Sequence, residues 1–197
     1  MGHDESSRCS NELGEGVVIM RLTLILDNIR STYNVGAILR TAEGFGVERV
    51  ILSGYTPRVH DAKLLPHLRE KLDREIHKTA LGAEDMLDIY ACDDIIQEVA
   101  QLKKEGHKIV GLENNITADN LYRLDDANLP RILGEKVVLI LGEEVHGIDY
   151  SLHDIIDLFV EIPMQGRKES FNVSVAAGIA MWGIRSIDRS QCRENSL

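Results

Sequence analysis

The sequence predicts an α/β domain built on a parallel sheet, and three observations carry the prediction. Short apolar runs of strand length recur at "RLTLIL", "ERVILS", "KIVGLE", "KVVLIL" and "LFVEIP". Longer segments of helical periodicity lie between them, and such alternation calls for parallel strands covered on both faces. The 197 residues are 44% hydrophobic and 27% charged, which suits one domain able to bury a full core without disulfides or metals.

Residues 1–19 are polar and glycine-rich until the last three, and read as a disordered leader. The domain is expected over 20–189, with a flexible tail at 190–197. Its first strand runs into "NIRSTYNVGAILRTAEGFGV", Asn28 to Val47, where Val35, Ile38, Leu39, Ala42 and Phe45 form one buried helical stripe. Asn34 is the expected N-cap, and Gly36 admits close approach by a ligand or another backbone. Arg40 falls near Gly36 and opposite Ile38 and Ala42, out of the core. A capped surface helix carrying a solvated arginine fits the same residues.

"KLLPHLREKLDREIHK" reads as a mixed surface helix, and "DDIIQEVAQLKKEG" puts Ile95, Ile96, Val99 and Leu102 on one face, with Asp at its start and Gly106 as its stop. In "LILGEEVHGID" a strand enters a loop with glycines at 142 and 147 and carboxylates at 143 and 144. Such a turn lies at the carboxyl end of a strand, where α/β sheets bind ligands. Taken alone it also reads as a glycine turn with two surface acids, and no G-x-G-x-x-G fingerprint is present. In "EIPMQGRKESFNVSVAAGIAMW", Ile162 ends a strand, Pro163 ends its ladder, Ser170 is placed to cap the last helix, and Asn172 falls in its first turn. That helix is apolar nearly all round from Val173 to Trp182, which calls for two partners: its own core and a second subunit. Ala180 is read as an outward small position.

Cys9, Cys92 and Cys192 lie far apart, with no CxxC pair and no clustered histidines, so neither a disulfide framework nor a metal site is indicated. No apolar run reaches the roughly 18 residues of a membrane span, and the reading is a cytoplasmic protein without a membrane partner. A formal net charge of −10 argues against simple nucleic-acid coating, and DNA is not an expected partner. Between Asp27 and Lys78, however, nine Lys or Arg stand against seven Asp or Glu, with His60, His67 and His77 in addition. A chain acidic elsewhere thus has one segment suited to a polyanion.

The three polar constellations occur in a telling order: N-x-G-x-x-x-R at Asn34, Gly36 and Arg40, then G-x-E-x-x-G at Gly142, Glu144 and Gly147, then I-P-M-x-G-x-x-x-S-x-N from Ile162 to Asn172. Together they closely resemble the SPOUT superfamily of RNA methyltransferases, in its TrmH or SpoU branch, over about Leu22 to Ile187. One departure is Phe171, where the family commonly has leucine. A second is length, since many relatives carry a separate RNA-binding extension and this chain has room for a short leader.

The resemblance implies an α/β-knot fold, with a carboxyl-terminal trefoil knot that departs from the usual rule against threading, and a homodimer with its active site near the dimer contact. It implies S-adenosylmethionine bound at the backbone of Leu112 and Glu113, the loop at Gly142, and Ile162 and Phe171 around the adenine. The implied reaction methylates a ribose 2'-hydroxyl in tRNA or rRNA. Arg40 is the residue to which the family assigns the leading role. A free guanidinium is a poor base, so Arg40 is read here as a fork on the adjacent phosphate, with Arg30 as a second RNA contact. Asn34, Glu144, Ser170 and Asn172 are expected to fix Arg40, the loops and the hydroxyl. Two alternatives remain open on the residues alone: a catalytically inactive knotted RNA-binding dimer, and a small-molecule α/β enzyme using another nucleotide.

Overall fold

The computed structural model describes residues 20–194 apart from 115, 119, 127 and 128, with side chains at all of these except 130, 131 and 187–194. The expected leader at 1–19 lies outside the described residues. Seven parallel strands form one sheet. In chain order they are β1 (Arg21–Asp27), β2 (Arg49–Ser53), β3 (Asp88–Ala91), β4 (Lys108–Leu112), β5 (Leu121–Arg123), β6 (Lys136–Leu141) and β7 (Leu158–Glu161). Their spatial order is β3-β2-β1-β6-β4-β7-β5. The helices are α1 (Thr32–Gly44), α2 (Pro66–Ala80), α3 (Ile95–Lys104), α4 (Leu129–Leu133) and α5 (Val173–Glu194).

Side-chain alternation along the central strands builds a core on each face of the sheet. Leu22, Leu24 and Leu26 of β1, with Val137, Leu139 and Leu141 of β6, pack with α1, α2 and α5. Ile25, Ile51, Ile109, Val138 and Ile140 pack on the other face with Val99 and Leu102 of α3. These side chains are almost wholly buried, and each stabilises the fold by about 1.5–3 kcal/mol relative to exposure. The predicted stripe of α1 is buried at Val35, Ile38, Leu39 and Ala42, and Phe45 packs partly against it.

Several local readings are corrected. Ser31, not Asn34, caps α1: its Oγ accepts the Asn34 backbone N–H at 3.3 Å. A helix starting three residues earlier leaves the Asn34 side chain free for another role. At Gly36 the close approach is by another backbone, one of the two readings given for it, because a Cβ there would overlap the Ile76 carbonyl and Thr79 Oγ1 of α2. Ile96 is exposed, one step off the face that buries Val99 and Leu102. In α5, Ala177, Ala180, Met181 and Ile184 are fully buried at helical spacing, so Ala180 faces the domain's own core. The outward residues are Val175 and Trp182, 49% and 63% exposed. The helix runs to Glu194, past the expected start of the tail, and residues 195–197 lie outside the described part.

The strand order also fixes where a crevice opens. From β1 the chain moves to β2 and β3 on one side, while β6 is followed by β7 on the other, across β4. Loops leaving β1 and β6 at their carboxyl ends therefore part company, and that divergence is where open parallel sheets hold ligands.

Candidate active site

The loop after β6 is the structural centre of that crevice. Glu143 and Gly147 exchange both backbone hydrogen bonds at 2.9 Å, closing a tight turn. The turn requires both glycines. A Cβ at Gly142 would overlap the carbonyl of Gly147, and Gly147 has φ +72° with the Glu113 carboxylate packed against its Cα. That carboxylate accepts from the backbone N–H of Ile148 at 2.8 Å and of Asn114 at 3.2 Å. Burial pushes the Glu113 carboxyl above the usual carboxylate range, and the two N–H groups oppose that shift. Glu113 thus supports the loop through its side chain, while its own N–H bonds Val160.

The neighbouring Asn114 was not singled out from sequence. Its Oδ1 accepts from the Ile162 N–H and its Nδ2 donates to the Ile162 carbonyl, both at 3.1 Å. One amide side chain therefore imitates a strand partner just where β7 has ended. Nδ2 also reaches the Glu169 carbonyl at 3.4 Å. The only sequence signal is an amide two residues past the end of β4, too common in loops to stand out.

A second polar chain unites the three constellations. Asn34 Nδ2 donates to Glu144 Oε1 at 3.1 Å, and Asn172 Nδ2 donates to Asn34 Oδ1 at 3.3 Å. Asn172 Oδ1 in turn accepts the Ser174 N–H at 2.9 Å and its hydroxyl at 2.6 Å. Asn172, directly before Val173, is thus the residue that caps α5, in place of Ser170. Segments 110 and 138 residues from Asn34 are brought to one point by these bonds.

Beside this chain opens a cavity of about 840 Å³. Leu112, Glu113, Gly142, Glu144, Ile162, Ser170, Phe171 and Asn172, eight of the expected site residues, line it. Further lining comes from Asn114, His146, Ile148 and His153, none of them singled out from sequence. Ser170 and Phe171 are exposed on its rim. Asn34 joins the site through Glu144. Arg30 joins through an ion pair of 2.8 Å with Glu143, a cavity residue.

Arg40 stands apart. It is exposed and makes no side-chain hydrogen bond or ion pair among the described residues. Helix geometry puts it about 9 Å along the axis and about 120° round from Asn34. The adjacent Thr41 lies against α5, with its Cγ2 3.6 Å from the Cβ position of Gly178. Among the described residues no group of three or more His, Cys, Asp or Glu is placed to hold a metal ion. No helix of the described residues is long and apolar enough to cross a membrane.

The arrangement suits a ligand with an apolar or aromatic body and a few polar groups: Leu112, Ile148, Ile162 and Phe171 supply walls, and glycine turns permit close backbone approach. The chain is similar to known proteins over most of its length. Over 171 residues the chain is 34% identical to a 23S rRNA (guanosine-2'-O-)-methyltransferase of Nitrosomonas europaea, covering 87% of this chain and 58% of that protein. The chain therefore spans under two thirds of the length of the curated relatives it matches. An AdoMet-bound rRNA methyltransferase from Sinorhizobium meliloti superposes with TM-score 0.68 at 21% identity, over 84% of this chain and 56% of that one. A TrmH/SpoU tRNA modifying enzyme of A. aeolicus gives TM-score 0.68 at 23% identity, over 89% and 80% respectively. These two likenesses establish the shared fold. The model of the SpoU rRNA Methylase family matches residues 21–182, nearly all of the described domain, and by that match the chain belongs to the SpoU rRNA methylase family.

Proposed function

We propose that the protein is an S-adenosylmethionine-dependent RNA methyltransferase that modifies a ribose 2'-hydroxyl in tRNA or rRNA, working as a homodimer in the cytoplasm. The observation that carries this reading is the Asn172–Asn34–Glu144 chain beside the cavity, since it joins all three motifs at one point. The printed activity of the Nitrosomonas europaea relative supports it. The fit of the cofactor rests on the cavity itself: a volume adequate for a nucleoside, apolar walls for a neutral purine, and a tight lining turn that tolerates no Cβ at Gly142 or Gly147. Leu112, Glu113, Gly142, Ile162 and Phe171 would hold it, and when bound it supplies an electrophilic methyl group. Ile162 is left to contribute its apolar side chain, because Asn114 takes its N–H. Threading of the chain through a trefoil knot belongs to the same proposal.

The chain's own residues then do the positioning. Asn34 and Asn172 each present an amide held by a defined partner, and Glu144 is the acceptor at the end of the chain. A ribose hydroxyl is a poor nucleophile until its proton is leaving, so orientation next to an acceptor is the main contribution available here. Arg40 grips the adjacent phosphate as a planar fork. It does not line the cavity, and the next residue, Thr41, lies against α5. In a dimer packed through α5 the arginine of one copy is available to the site of the other.

Isothermal titration is expected to give S-adenosylmethionine binding that is unchanged by excess chelator, since the lining offers donors and walls but no ligand cluster. No detectable binding, or binding that needs a divalent ion, defeats the reading and favours a catalytically inactive RNA-binding dimer or another enzyme class. For the dimer, Trp182→Glu on the outward face of α5 is expected to give a folded monomer in sedimentation at micromolar concentration. Ala180→Asp, in contrast, buries an unpaired charge and is expected to unfold the chain. A monomeric wild-type protein counts against the homodimer.

A further inference from the structure

Two exposed tyrosines, one bonded to Arg30 and one directly preceding Asn34, are not used in positioning the reacting groups. Tyr55 lies just past the end of β2 and is 49% exposed, while Tyr33 lies in the first turn of α1 and is 50% exposed. Each carries a cation on its ring. The Arg30 guanidinium stands 5.4 Å from the centroid of Tyr55, and Lys78 Nζ stands 5.8 Å from that of Tyr33. Both rings therefore offer an aromatic surface together with positive charge, on a chain whose formal net charge is −10.

Their placement is built rather than incidental. β2, β1 and β6 are neighbours in the sheet, so the loops leaving their carboxyl ends are neighbours too. Arg30 spans them: it donates to the Tyr55 hydroxyl at 3.4 Å and pairs with Glu143 in the cavity loop at 2.8 Å. Tyr55 is held from below by Asn28, whose Oδ1 accepts the Tyr55 N–H at 3.3 Å. Asn28 itself has φ +59°, and Gly54, also at φ +59°, leaves the space its amide fills. Asp27, buried at the end of β1, accepts from Asn28 Nδ2 at 3.2 Å and from the Ser53 hydroxyl at 2.6 Å. Tyr33 is fixed through its carbonyl, which accepts from Thr79 Oγ1 of α2 at 3.0 Å, and it directly precedes Asn34.

We propose that Tyr33 and Tyr55, with Lys78 and Arg30, form a stacking platform for unpaired RNA bases flanking the target nucleotide, so that the substrate is a single-stranded loop or bulge rather than a duplex. The inference rests on the RNA-methyltransferase reading and narrows its substrate class. Aromatic rings recognise unstacked bases, because bases inside an A-form duplex present no free face. Cations at the rings add phosphate attraction and hold the strand against them.

The test is fluorescence anisotropy, without cofactor, on a labelled oligouridylate and oligoadenylate of about 12 nucleotides and on the duplex they form together. Wild type is expected to bind either single strand more tightly than the duplex. Tyr33→Ala and Tyr55→Ala are each expected to weaken single-strand binding by roughly 5- to 100-fold, and the Phe variants to stay within about 3-fold of wild type. Thermal midpoints and S-adenosylmethionine affinity should be unmoved in all four, since the rings are exposed and outside the cavity. Equal binding of duplex and single strand overturns the platform, as does an alanine variant at wild-type affinity or a Phe variant as weak as its alanine counterpart. A wild type that binds no S-adenosylmethionine defeats the methyltransferase reading instead, and the oligonucleotide arm still reports on the platform.

Discussion

Replacing Arg40 by alanine is expected to lower single-turnover methyl transfer by about 100-fold or more while leaving the folded domain and its cofactor affinity almost untouched. Two facts separate these effects. Arg40 is exposed and makes no side-chain hydrogen bond or ion pair among the described residues, so its removal should shift stability by no more than about ±0.5 kcal/mol. The cavity is lined by residues from Leu112 onward, so its walls are unchanged. On the proposed mechanism, what is lost is the fork on the phosphate next to the reacting ribose. Arg40→Lys should rescue little, because an ammonium keeps the charge but not the paired donors. A mixed sample of Arg40→Ala and Asn34→Ala chains adds a further check. If the arginine of one copy serves the site of the other, heterodimers regain one intact site and part of the activity returns. Near-normal transfer by the alanine variant on its RNA substrate removes Arg40 from the mechanism.

The second large effect concerns a methyl group at Gly147. Gly147→Ala is expected to destabilise the domain by about 2–4 kcal/mol and to weaken S-adenosylmethionine binding at least 10-fold. A side chain at φ +72° is strained, and its Cβ would overlap the Glu113 carboxylate that holds the Ile148 N–H. Displacing that carboxylate leaves a partly buried acceptor and a backbone donor without each other. The overlap implies coupling: adding Glu113→Ala to Gly147→Ala should cost less than the sum of the single changes. Urea unfolding and calorimetric titration of the four chains measure both quantities. Strict additivity would falsify the proposed contact as the source of the effect.

Much of the fold was legible because apolar runs report burial directly. The five predicted strands and the α1 stripe were found for that reason. The edge strands β3 and β5 were missed, being four and three residues long and only half-buried, so little apolar signal marks them. Caps were misplaced by three residues at α1 and by two at α5, since Ser, Thr and Asn compete for that position and only tertiary contacts decide which side chain turns back. That error had a consequence for the site. With Ser31 as cap, Asn34 is released to bond Glu144 and Asn172. Ala180 was misread because a helix apolar on every face gives no phase from which to choose its inner side. Asn114 was invisible because its meaning depends on Ile162, which lies 48 residues away.

The pairing of β1 with β6 governs how the molecule comes into being. Arg21 to Leu26 pair with Lys136 to Leu141, so one edge of a central strand waits for roughly 115 residues to be made, or about 6–23 s of synthesis. The loop-closure entropy of so long a span must be met before those contacts return anything, which makes high contact order and slow folding a property of this topology. Until then the leucines of β1 and its unpaired amides form a sticky edge. The growing chain therefore relies on α1 and β2 to shield β1 from one side until β6 is made to cover the other.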